Sequence, residues 1–136
     1  MDIQKDKLTI QEVSQATGLS AHTLRYYERI GLIHPIGREG NSHRHYTSDD
    51  LGWIEFLLKL RATGMSIKNM QKYAALQRQG DMTLPERLEM LKSLRDQVEA
   101  RMAELNEHLK LIYYKIEIYQ KIVTEKELEK VAQTIC

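Results

Sequence analysis

The second half of this chain repeats apolar residues with a period of seven, and this repeat restricts the possible folds more than any other feature. Two positions of every heptad between Leu84 and Val123 are apolar, with Arg95 as the exception. The two sets of positions are Leu84, Leu91, Val98, Leu105, Ile112 and Tyr119, and Leu88, Arg95, Met102, Leu109, Ile116 and Val123. A period of seven held this long specifies a supercoiled helix roughly 60 Å long rather than a helix of a globular core.

The apolar seam of this helix has no counterpart elsewhere in the chain. No other segment has a comparable length and heptad pattern. The matching seam must therefore come from another copy of the chain. The sequence predicts a homodimer held together by the apolar residues named above.

The first third of the chain predicts a helix-turn-helix. Thr9 and Glu12 form a capping box before a first helix over residues 10–17. Gly18 provides a turn, and a second short helix follows over about residues 21–30. Small residues and a glycine turn between two short helices are typical of this motif.

The predicted fold is mainly α-helical, with a winged helix-turn-helix head and a long C-terminal coiled-coil dimerisation helix. Proline and glycines interrupt the stretch after the second helix, which predicts a small β-hairpin. Thr83 and Glu86 form another capping box, at the start of the last helix. The predicted divisions are the head at 1–80, with the helix-turn-helix at about 9–31, the wing at about 32–46 and supporting helices at about 48–80, and the dimerisation helix with a short tail at 81–136.

Positive charge is concentrated in the head. Residues 1–80 contain 11 Lys and Arg and 8 Asp and Glu, whereas the remaining residues contain 9 and 11. Residues 22–45 carry four arginines and four histidines but only two glutamates. This asymmetry predicts a polyanionic partner.

The second helix and the hairpin carry the side chains that are best suited to bind DNA. An arginine can donate two hydrogen bonds to guanine or phosphate, and a tyrosine can donate to phosphate. Arg25, Tyr26 and Arg44 are the leading candidates, while Tyr27 fits a core position at least as well. The residues predicted on this basis are His22, Thr23, Arg25, Tyr26, Tyr27, Arg29, His43 and Arg44.

Three segments of the chain resemble the MerR family of bacterial transcriptional regulators. They are TIQEVSQATGLSAHTLRYYERIGLI (residues 9–33), SHRHYTSDDL (residues 42–51) and LLKLRATGMSIKNM (residues 57–70). The string RYYERIGLI is far more specific than a bare helix-turn-helix. The resemblance implies that the second helix enters the major groove, that the hairpin is a wing and that the final helices form an antiparallel coiled coil. It also adds Tyr46 to the predicted contacts, because Arg44 and Tyr46 match the R-x-Y of the family's wing.

The resemblance further implies a mechanism. Such dimers bind a pseudo-palindromic promoter site whose recognition elements are too far apart, and the effector-bound form distorts the DNA so that RNA polymerase engages both. The effector is not predicted, since the chain has neither the metal-binding cysteines nor the added ligand domain of many members. The cysteine that aldehyde- and thiol-stress members tend to carry in the third helix is also absent. Operator sequence, regulated genes and the choice between activation and repression stay open too.

Three side-chain groups admit two interpretations each. Cys136 is either a redox switch or an inert terminal thiol. His43 and His45 are either a metal pair or solvated imidazoles, although no third ligand is evident. An aromatic set on the late coil and in the head either lines an effector pocket between subunits or packs in the ordinary way; its members are Trp53, Tyr113, Tyr114 and Tyr119.

Other functional classes are less compatible with the sequence. A coiled-coil adaptor without DNA binding is the alternative, but it needs an apolar patch where Arg25, Tyr26 and Arg29 stand. An enzyme is not predicted, because no catalytic grouping or phosphate-binding loop is present. No cofactor or metal is expected. The polar start MDIQKDK and the lack of a long apolar run predict a cytoplasmic protein that does not contact membranes.

Overall fold

The computed structural model describes residues 7–39 and 43–135, without the side chains of residues 38, 39, 43 and 44. Its elements are α1 (Ile10–Thr17), α2 (Ala21–Arg29), β1 (Arg38–Glu39), β2 (His43–Arg44), α3 (Ser48–Ala62), α4 (Ile67–Arg78), a 3-10 turn (Asp81–Thr83) and α5 (Leu84–Ile135). The chain forms two compact units, Met1–Arg95 and Asp96–Cys136. None of the helices within the described residues is both long and apolar enough to cross a membrane.

Local capping determines where α1 begins and ends. The Thr9 N–H donates to Glu12 Oε1 and the Glu12 N–H donates to Thr9 Oγ1, each over 3.1 Å. These two bonds satisfy backbone donors that the first turn leaves without helical partners. The helix ends at Gly18, whose φ of 78° is a left-handed conformation that glycine adopts without strain. The prediction of a helix over residues 10–17 is therefore confirmed.

The hairpin is much shorter than the predicted residues 32–46. Its strands have two residues each and pair antiparallel, Arg38 with Arg44 and Glu39 with His43. Leu32 and Ile33 do not join a ladder; their N–H groups donate to the Tyr27 carbonyl, over 2.9 and 3.2 Å. Both side chains lie in the core, at 0% and 1% exposure. Burial of this segment against the helices thus prevails over its strand-like composition.

The core of the first unit lies among α1 to α4. It is built mainly from aliphatic side chains, which account for most of the stabilising burial. Trp53, Phe56 and Tyr73 pack together at one side, with ring centroids 5.8–6.0 Å apart. Leu91, predicted to belong to the dimer seam, packs against this core and is partly buried. The completely buried residues of the core include Val13, Leu24, Leu32, Tyr46, Ile54, Leu57 and Met70.

The junction between α4 and α5 corrects a second prediction. Thr83 is buried, and its hydroxyl lies 2.6 Å from the Leu76 carbonyl and 3.0 Å from Arg87 Nε. The Thr83 hydroxyl therefore bonds to the end of α4 and does not form the predicted capping box with Glu86. Arg87 is buried too, and its guanidinium donates to Gln77 Oε1 and to the Gly80 carbonyl.

Arg87→Met is expected to lower the free energy of unfolding by about 1–3 kcal/mol. The substitution leaves the buried Thr83 hydroxyl without the Arg87 donor and removes the bonds to Gln77 and Gly80, and loss of a partner for a buried group costs more than the net value of one hydrogen bond. Denaturant unfolding of both proteins measures the difference. The neighbouring exposed residue gives the control, since Glu86→Met should stay within about 0.5 kcal/mol of the wild type. Equal stability of the two variants would contradict this role for Arg87.

The second unit is helical from Asp96 to Ile135 in the described residues. Its heptad positions carry large apolar side chains that solvent reaches: Met102 (58% exposed), Leu105 (65%), Leu109 (41%), Ile112 (54%), Ile116 (46%), Tyr119 (57%) and Val123 (59%). A helical face with this much exposed apolar surface is typical of an interaction site.

Candidate nucleic-acid interface

Four side chains form an exposed stripe on α2. His22, Arg25, Tyr26 and Arg29 follow the spacing i, i+3, i+4 and i+7, which places them on one face of the helix. All four are exposed, whereas Leu24 on the opposite face is completely buried. Burial of Leu24 therefore turns the basic and aromatic stripe, as we call these four residues, towards solvent.

Neighbouring side chains order this stripe. The Arg29 guanidinium carbon lies 5.6 Å from the centroid of the Tyr26 ring, which is a cation–π contact. The Tyr26 and Tyr27 rings follow at a centroid distance of 6.2 Å. At the start of the helix, Ser20 Oγ accepts from the Thr23 N–H over 3.0 Å and caps α2. Arg29 and Tyr26 are thus partly fixed before any ligand arrives.

Three predicted contact residues face inward to different degrees. Thr23 is half-buried, and its hydroxyl accepts from Ser20 Oγ over 3.0 Å. Tyr27 is half-buried and packs against the core. Tyr46 is completely buried, with 0% exposure. The prediction that Tyr46 contacts DNA is wrong for this structure, because its ring fills the core and its backbone pairs with Leu8.

The residues predicted to form a wing are described only in part. The side chains of His43 and Arg44 lie outside the described residues, as does Cys136. His45 is half-buried. Its backbone N–H donates to the Gly37 carbonyl over 3.0 Å, which extends the pairing by one residue beyond the two strands. Within residues 7–39 and 43–135, no three His, Cys, Asp or Glu side chains are grouped closely enough to hold a metal ion.

A clamp on the end of α2 escaped the sequence analysis. Gln71 Nε2 donates to the Ile30 carbonyl over 2.7 Å, Arg78 Nη2 to the Gly31 carbonyl, and Trp53 Nε1 to the Leu32 carbonyl over 2.8 Å. These three side chains, from α3 and α4, hold three consecutive carbonyls that follow α2. We call them the α2 clamp. It fixes the helix end whose orientation determines where the exposed stripe points.

A second link joins α2 to the segment before the hairpin. Glu28 Oε1 accepts from the Ile36 N–H over 2.8 Å. The bond spans eight residues, and no spacing rule of helices or turns predicts it.

Comparisons with known proteins decide between the possible classes for this head. The sequence profile of MerR HTH family regulatory proteins matches residues 8–77, and a second profile, "MerR, DNA binding", matches residues 51–110. The chain belongs to the MerR family. This MerR-family protein is a transcriptional regulator with a DNA-binding domain, and the adaptor alternative is not supported.

Relatives of this MerR-family chain cover most of its length. An uncharacterised HTH-type transcriptional regulator of Haemophilus influenzae is 37% identical over 113 residues, which are 83% of this chain and 84% of the relative. The crystal structure of HiNmlR, a MerR family regulator lacking the sensor domain and bound to promoter DNA, matches with a TM-score of 0.77 and 36% identity over 85% of this chain and 91% of the other. A putative MerR family regulator from Listeria monocytogenes matches with a TM-score of 0.85 and 39% identity, over 95% and 99%.

Proposed function

We propose that this MerR-family regulator acts as a homodimer on a pseudo-palindromic promoter site, which it distorts to control RNA polymerase in response to an effector. One observation carries the proposal. The basic and aromatic stripe is exposed on the second helix of a helix-turn-helix head, and that head resembles a family member crystallised on promoter DNA. The protein works in the bacterial cytoplasm, where promoter DNA is found.

The stripe on α2 is the part that reads the DNA. In a helix-turn-helix, the second helix lies in the major groove and its first residues reach base edges. Arg25 is exposed and can form two hydrogen bonds with a guanine. Tyr26 and Arg29 contact each other and suit the sugar-phosphate backbone beside it. His22, next to the helix start, completes the surface, while Thr23 and Tyr27 support it from within.

The exposed heptad face of α5 is the part that joins two copies. Its apolar side chains between Met102 and Val123 are 41–65% exposed, which is costly in water unless a partner covers them. The period of seven favours an identical helix as this partner. Two heads joined in this way address two half-sites at a fixed spacing, which gives a pseudo-palindromic operator. Distortion of the DNA between the half-sites is then a means to change the spacing that RNA polymerase meets.

Selection of binding sites from the source genome tests the proposal. Fragments retained by the purified dimer are sequenced, and the best fragment is footprinted. We expect a pseudo-palindrome within a promoter spacer, protected on both half-sites. If no fragment is retained above background, at low salt and with a dimer verified by light scattering, the proposal fails.

Arg44→Ala provides a test of the wing. We place Arg44 against a phosphate, so the variant should weaken binding to all duplexes alike and lower the slope of log affinity against log salt by about one. Affinities for operator and unrelated duplexes, each measured over a series of salt concentrations, give both quantities. An unchanged slope removes Arg44 from the contacts.

A further inference from the structure

The head contains a cavity of about 200 Å³ beside the end of α2. Its walls come from the segment after α2, from the first turns of α3 and from the last turns of α4. Leu32, Trp53 and Ala74 supply apolar surface, while Asp49, Gln77 and Arg78 supply polar groups. This volume is below that of most pockets for drug-sized ligands, so it suits a smaller molecule.

Three other polar residues at this cavity already have hydrogen-bond partners. Asp50 Oδ1 lies 2.5 Å from His34 Nε2, and Asp50 Oδ2 accepts from the Thr47 N–H over 2.9 Å. Gln77 Oε1 accepts from Arg87 over 2.5 Å, which leaves the Gln77 amide nitrogen available as a donor. His34 and Asp50 therefore serve the structure of the cavity wall rather than a ligand.

Two charged groups of opposite sign remain available. Arg78 uses one guanidinium N–H for the Gly31 carbonyl and keeps others that can bind an anion. The Asp49 side chain is exposed, and within the described residues its carboxylate makes no hydrogen bond or ion pair. The apolar side chains of Leu32, Trp53 and Ala74 line the same cavity as these two charged residues. An anionic group and a cationic group on one small apolar molecule complement this arrangement.

We propose that the cavity binds a small zwitterion with an apolar body, of the amino-acid class, and that this molecule is the effector of the regulator. The second part rests on the function proposed above. The carboxylate of the ligand pairs with Arg78, its ammonium group with Asp49, and its apolar side chain lies against Trp53.

The α2 clamp couples this site to DNA binding. Trp53 and Arg78 line the cavity, and the same two side chains hold the Leu32 and Gly31 carbonyls at the end of α2. A ligand that engages the Arg78 guanidinium and the Trp53 ring alters the contacts that fix the recognition helix. By linkage, the factor by which the ligand changes DNA affinity equals the factor by which DNA changes ligand affinity.

Fluorescence of Trp53 tests the site directly, since Trp53 is the only tryptophan of the chain. The purified dimer is titrated with L-phenylalanine, with 3-phenylpropanoate, which lacks the ammonium group, and with 2-phenylethylamine, which lacks the carboxylate. We expect a saturable change with phenylalanine and binding about tenfold weaker or more for each fragment, as loss of a charged hydrogen bond implies. An unsaturable response to all three probes overturns the proposal.

Two variants test which side chain pairs with which charged group of the ligand. Asp49→Asn should abolish the preference for phenylalanine over phenylpropanoate and keep the preference over phenylethylamine. Arg78→Gln should do the reverse, so each variant is the control for the other. Circular dichroism of both verifies that the helices persist. If neither variant changes either preference, the ligand does not bind as we propose.

The effector role is tested separately. Phenylalanine should change the affinity of the dimer for its operator by about fivefold or more, the usual range of allosteric coupling. Gln71→Leu is the matched control, because Gln71 belongs to the clamp but does not line the cavity; it should alter operator affinity and leave phenylalanine binding intact. Phenylalanine binding without any effect on operator affinity would refute the effector role. Operator binding measured without phenylalanine tests the proposed function independently of the effector role.

Discussion

Arg25→Lys is expected to remove most of the preference of this regulator for its operator and to leave its binding to unrelated duplexes nearly unchanged. Lysine keeps the positive charge that drives non-specific binding. It lacks the planar fork that forms two hydrogen bonds with one guanine, and such a pair contributes about 1–3 kcal/mol of discrimination. Because the proposed dimer places Arg25 in both half-sites, the loss applies twice. The ratio of operator to non-specific affinity at one salt concentration is the quantity to measure.

A distant arginine provides the control for this substitution. Arg101 is exposed on α5, in the second unit, and Arg101→Lys makes the same chemical change away from α2. Its affinity ratio should equal that of the wild type. A variant at position 25 that keeps the wild-type ratio would place Arg25 on a phosphate instead, and base reading would have to come from other residues of the stripe.

The local parts of this fold could be predicted from the sequence. A capping box is a contact between residues three apart, so Thr9 with Glu12 and Thr47 with Asp50 specify helix starts without any tertiary information. The positive φ of Gly18 likewise follows from a local requirement of the turn. The exposed stripe on α2 was predictable for the same reason, since helical periodicity alone groups its members.

The remaining parts depend on contacts between residues far apart in the sequence. Tyr46 matches a wing motif, yet its ring is buried in the core. Trp53 and Arg78 reach carbonyls 21 and 47 positions away, and periodicity contains no information about such pairs. The clamp and the cavity beside it therefore appear only in three dimensions. An indole N–H that is packed away from water nevertheless requires an acceptor, so Trp53 was a candidate for a hydrogen bond whose partner the sequence did not show.

Val98→Asp is expected to separate the dimer and, with it, to abolish binding to the full operator. Val98 lies at a heptad position of α5 and is half-buried, and in the proposed coiled coil the second copy covers its remaining surface. A carboxylate there is buried without a partner in each chain, at a cost of about 3–5 kcal/mol per charge. At about 1.4 kcal/mol per factor of ten, the dissociation constant of the dimer rises by at least a hundredfold. Sedimentation measures it directly.

The position two residues further along provides the matched control. Ala100 is exposed and lies outside the heptad seam, so Ala100→Asp adds the same charge to the same turn of the helix. This control should remain a dimer with wild-type operator affinity. The head of the Val98→Asp variant should keep its core, which denaturant unfolding of the monomer verifies, because Val98 lies in the second unit. A Val98→Asp protein that stays dimeric at the dissociation constant of the control would show that the seam runs along another face of α5. The pairing of the two heads on the operator would then need a different geometry.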